Sequence, residues 1–73
     1  MKTTLEFSRG TEQRIQVLVD TDRLMIMWEA KNHSAFGTWS MNFTSIDELR
    51  AVESEIEQWV QRRNFVLVGA ENE

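Results

Sequence analysis

Apolar and polar positions alternate with a period of two through most of residues 3–43, and then change to a helical period. In "TTLEFSR" (3–9) Leu5 and Phe7 share a face, and "GTE" at 10–12 supplies a turn. "RIQVLVD" (14–20) puts Ile15, Val17 and Val19 on one face, and "RLMIMWEA" (23–30) does the same with Leu24, Ile26, Trp28 and Ala30. After the connection "NHSAFG" (32–37), "TWSMNF" (38–43) alternates Trp39, Met41 and Phe43 with Thr38, Ser40 and Asn42. Alternation rich in branched and aromatic residues predicts four strands, each with one buried face.

The pairing of these strands follows from matching like faces. With Thr21 and Asp22 at the tip of the second hairpin, Asp20 opposes Arg23, Val19 opposes Leu24, Val17 opposes Ile26 and Ile15 opposes Trp28. Leu18 then faces Met25, and Arg14 meets Glu29. Core meets core and opposite charges meet at both ends, the arrangement that favours an antiparallel pair. A slip of one residue would set Val and Ile against outward positions, so it is disfavoured. The same counting sets Trp28 against Trp39, Ile26 against Met41 and Leu24 against Phe43. The four strands therefore form an antiparallel meander with one continuous apolar face.

From Ser45 onward the apolar residues are Ile46, Leu49, Val52, Ile56, Trp59 and Val60. On a helical wheel they form a stripe roughly 140° wide, which predicts one amphipathic helix over residues 46–63, packed on the apolar sheet face. Ser45-Ile46-Asp47-Glu48 reads as a capping box, in which the Ser45 hydroxyl takes the Glu48 amide and Glu48 reaches back to the Ser45 amide. Asp47 and Glu48 at the start and Arg62 and Arg63 at the end complement the helix dipole. Asn64 can take the left-handed position after the helix and fold Phe65 back on Val60.

"FVLV" (65–68) reads as a short fifth strand, with "GAENE" as a polar tail. Its residues are all apolar, so neither face looks solvated. It can lie parallel to strand four, antiparallel beside strand one, or across a dimer interface. The expected fold class is α+β, ordered β-β-β-β-α-β, in one small domain spanning 1–73.

One feature does not fit a sheet with a wet outer face. Leu18, Met25 and Met27 point away from the core stripe, amid a polar rim that includes Arg14, Glu29, Thr38, Ser40, Asn42, Thr4 and Glu6. An apolar centre with a polar rim is the anatomy of a protein interface, and methionine is enriched in such surfaces. Three scattered apolar residues also occur on ordinary surfaces. Leu18, Met25 and Met27, with Phe36 in the loop, are the candidate contact residues.

Composition narrows the function more than it defines it. A 73-residue chain without cysteine has no disulfide framework, and its single His33 cannot furnish a His/Cys metal cluster. A domain this small buries only about 60% of its unfolded surface, so self-association would add useful stability. The start "MKTTLEF" has no apolar targeting run and no stretch is long enough to span a bilayer, so a cytoplasmic protein is expected. The net charge of −4 disfavours nonspecific nucleic-acid or anionic-lipid binding.

No catalytic constellation emerges. His33 beside Ser34 is sequence adjacency without the contact that a nucleophile–base pair needs, and an ordinary loop residue is the simpler reading. Glu55 and Glu57 fall outside the helix stripe and read as a solvated face, while Glu53 at the stripe's edge has Arg50 as its partner. Gly10, Gly37 and Gly69 lie in separate places and form no phosphate loop. Aromatic stacking on a sheet can hold single strands, but Phe7, Trp28, Trp39 and Phe43 fall on the face that the helix covers. Twelve acids interleaved with eight bases make a poor mimic of DNA.

The expectation is a small, non-enzymatic, acidic binding or regulatory protein acting through protein contacts as a homodimer, with no cofactor and no metal. Its size and composition are like those of phage- and mobile-element-encoded proteins that inhibit a host protein. The alternatives are a nucleic-acid binder using Arg14, Arg23, Lys31 and His33 with Phe36, or an accessory subunit of a larger complex. A closed ligand pocket between helix and sheet is not expected, because the side chains there are large.

Overall fold

The computed structural model describes residues 1–31 and 37–73. Five strands and one helix follow in chain order: β1 (Lys2–Arg9), β2 (Gln13–Asp20), β3 (Met25–Lys31), β4 (Thr38–Asn42), α1 (Ile46–Arg62) and β5 (Val66–Asn72). They form one antiparallel sheet in the order β4-β3-β2-β1-β5 with α1 across one face, the expected α+β arrangement. Phe7, Ile15, Val17, Val19, Ile26, Trp28 and Phe43 from the sheet meet Leu49 and Val60 of the helix and Phe65 beyond it in one buried core.

The pairing of β3 with β4 is the expected one, with Trp28 opposite Trp39 and Ile26 opposite Met41. That of β2 with β3 is displaced by two residues. Val19 faces Ile26, Val17 faces Trp28, Leu18 faces Met27, and Asp20 faces Met25. The turn is longer than the two-residue tip assumed above. The buried Asp20 carboxylate accepts the backbone N–H groups of Asp22 and Arg23, both at 3.1 Å. Leu24 then closes the turn with a left-handed φ of 51°. Its carbonyl receives the Phe43 N–H at 2.8 Å, and its side chain packs on the core, so an unfavourable backbone conformation is held from two sides. A two-residue slip leaves every side chain on its original face.

The charge pairs move with the register. Arg14 lies opposite Lys31 rather than Glu29, and its guanidinium donates to Glu6 at 2.9 Å. Arg23 lies 3.9 Å from Asp20, inside the turn rather than across strands. At the far end of the turn, the N-terminal ammonium donates to Asp22 at 2.7 Å and holds that carboxyl below the ordinary aspartate range.

Helix α1 is closed as its flanking residues predict. The Glu48 amide donates to the Ser45 hydroxyl at 3.2 Å, although Glu48 returns to the Thr44 amide rather than that of Ser45. Arg50 and Glu53 pair at 2.8 Å. At the other end Asn64 has a φ of 64°, Phe65 N–H reaches the Val60 carbonyl, and Asn64 N–H reaches that of Gln61. These two bonds make a Schellman motif. Arg9 secures the joint from the sheet side: it donates to the Arg63 carbonyl at 2.9 Å and lies over the Phe65 ring.

The chain enters α1 from the β4 edge and leaves it at the β5 edge, so the helix must span the sheet. Four interstrand gaps amount to about 19 Å, and 17 helical residues rise about 25 Å, enough for a diagonal crossing. Beyond it, β5 takes the place beside β1, antiparallel to it. It is also longer than the expected 65–68. Asn72 and Glu73 stay in contact with the sheet through Thr3 and Lys2, at the cost of one irregularity between Glu6 and Phe7.

Candidate functional site

The outer face of the sheet carries no helix. In the observed register Leu18 and Met27 are direct cross-strand neighbours, Met25 lies two residues along, and Ser40 flanks Met27 on β4. Leu18 and Met25 are half-buried and Met27 is 40% exposed. Gln16, Leu18, Met27, Glu29 and Thr38 ring a shallow hollow of about 90 Å³ with Trp28 at its base. The three apolar residues are thus brought together on the outer face as a small patch, with Leu18 against Met27 rather than against Met25 as expected.

The remaining sequence candidates are dispersed or occupied. Phe36 and His33 lie outside the described residues. Arg14 is engaged by Glu6 and Arg23 by Asp20, while Lys31 is exposed at the end of β3. Among the described residues no group of three His, Cys, Asp or Glu side chains could hold a metal ion. No helix among them is long and apolar enough to cross a membrane.

Two apolar surfaces stand out more than the expected one. The first is the free edge of β5, where Val66, Leu67 and Val68 are 60%, 56% and 52% exposed. All were expected to be covered. Leu67 faces Phe7 across the ladder and so belongs to the helix side of the sheet, but a single helix about 10 Å wide cannot shield both corners of a five-stranded sheet.

The second is the opposite corner. Between α1 and the β3–β4 pair lies an open cleft of about 370 Å³ lined by Trp28, Trp39, Met41, Val52, Glu55, Ile56 and Trp59. Trp28 and Trp39 stack at 5.9 Å with their planes 8° apart, and Trp59 meets Trp28 edge-on at 5.6 Å. Met41, expected in the core, is 47% exposed for the same reason as Leu67. Large side chains therefore do leave space between helix and sheet, because they line an uncovered corner instead of interlocking. Glu55 is solvent-exposed, as the wheel suggested, but it flanks this cleft rather than pointing directly away from it.

Comparison of the chain with protein-family models, with curated proteins and with solved structures yields no match. The functional argument therefore rests on these surfaces. The signal for both corners was present in the sequence as a count: five strands and one helix leave apolar side chains without a cover.

Proposed function

We propose that the protein is a small, non-enzymatic, acidic regulatory module that works through protein contacts in the cytosol and self-associates through the β5 edge. The observation that carries the reading is the exposure of Val66, Leu67 and Val68 along an unpaired strand edge. Exposed apolar edges template strand pairing with another chain, and natural proteins usually blunt them with charge or proline. The stretch from Phe65 to Ala70 has neither.

A second copy of the same apolar strand fits this edge. With a two-fold axis at Val68, Val66 meets Ala70 of the second copy and Leu67 meets Gly69, all within the strand. Such an interface is self-complementary and extends both sheets into one. A role as a small inhibitor docking on a larger protein, of the type found in phages and mobile elements, is the biological form this reading takes.

Sedimentation equilibrium over a concentration series is the test. The expected species has twice the 8.6 kDa chain mass at low and high salt. Leu67→Lys and Val68→Lys should return it to monomer, whereas Met27→Lys on the outer face should leave the dimer intact. A wild-type monomer at every concentration would overturn self-association. Dissociation by Met27→Lys alone would move the interface to the outer face.

A further inference from the structure

The cleft at the β4 corner has a chemical character that the β5 edge lacks. Its walls are aromatic and aliphatic, and Glu55 is the charged member of its described lining. None of the ion pairs among the described residues engages Glu55. At about 370 Å³ the cleft falls toward the low end of the roughly 300–1,000 Å³ typical of ligand-binding clefts.

We propose that this cleft receives an arginine side chain, flanked by apolar residues, from a partner protein. The indole faces carry negative potential and attract a cation, and a planar guanidinium stacks on them better than a compact ammonium does. The molecule already uses this chemistry twice. The Arg63 guanidinium lies 3.7 Å from the centre of the Trp59 ring, and that of Arg9 lies 4.7 Å from the centre of Phe65. In the cleft, Trp39 supplies the aromatic face beside a Trp59 ring that already carries Arg63, Met41, Val52 and Ile56 take the aliphatic part, and Glu55 faces the charge. The chain's net charge of −4 favours the approach of a basic segment.

Three capped tripeptides separate charge from shape: Ac-Leu-Arg-Leu-NH2, its citrulline isostere, and Ac-Leu-Glu-Leu-NH2. Each is titrated into the labelled protein while the indole N–H and backbone resonances are followed by NMR. The arginine peptide is expected to shift the Trp39 and Trp59 indole signals and to bind roughly fivefold more tightly than the citrulline peptide. Glu55→Gln, a change at an exposed helix position, should remove most of that difference. Equal affinities for the three peptides, a Glu55→Gln variant with undiminished preference, or no indole shift up to about 10 mM would each overturn the proposal. Because the cleft lies at the opposite edge of the sheet from β5, the monomeric Leu67→Lys variant should give the same peptide preference. Failure of self-association and failure of arginine binding are therefore read separately.

Discussion

Asn64 occupies a conformation that most residues adopt only at a cost, with φ at 64°, and two helix-closing bonds depend on it. Replacing it with Ala should destabilise the fold by about 1 kcal/mol, because the β-carbon crowds the backbone in the left-handed region. Asn64→Gly, which removes the crowding, should match or exceed the wild type by up to about 1 kcal/mol. Urea unfolding of the two variants checks the ordering Gly, Asn, Ala. This position was legible from the sequence because Asn between Arg63 and an apolar Phe65 is a local signal. Leu24, with φ at 51°, was not legible: nothing in a leucine announces a left-handed residue, and only the Phe43 bond and the core contacts reveal what holds it.

At the scale of elements, the outcome depends on how local the determining interaction is. The helix, its Ser45 cap and the β3–β4 register follow from neighbouring residues and from simple alternation. The β2–β3 register escaped by two residues because alternation fixes the face of a side chain but leaves even-numbered slips open. What decides between them is Asp20, whose buried carboxylate gathers two turn amides. Asp20→Ala should therefore cost about 1–3 kcal/mol, the penalty for leaving those amides without their acceptor. Asp20→Asn keeps a carbonyl oxygen in place and should lose clearly less. Equal losses in thermal or urea unfolding would show that the negative charge, rather than the accepted bonds, closes the turn. The place of β5 was open for a related reason: apolar character alone does not say which edge a terminal strand joins.

Over the whole molecule, one helix crossing five strands explains why the two exposed apolar corners exist and why they lie at opposite edges. The outer-face residues Leu18, Met25 and Met27 could be named in advance because they break the alternation. Leu67 and Met41 obey the expected pattern and become exposed only when the width of the sheet is set against the width of its cover, whereas Val66, opposite Ser8, lies on the outer face. The molecule thus carries an exposed apolar strand edge on one side and an aromatic cleft with a carboxylate on the other.

The strand order has a consequence for how the chain finds this shape. Every neighbouring pair from β1 to β4 is a hairpin, whereas β1 and β5 meet from opposite ends of the sequence, with Thr3 bonded to Asn72 across 69 positions. Closing that span costs chain entropy before any contact repays it. Joining Glu73 to Met1 through a short linker and opening the chain before Thr44 would give the order α1-β5-β1-β2-β3-β4, in which every strand pairs with its sequence neighbour. Such a circular permutant should keep the same sheet but refold several-fold faster in stopped-flow fluorescence, since three tryptophans report on the core. An unchanged rate would mean that the slow step lies in the meander, and that the last strand closes onto a sheet already made.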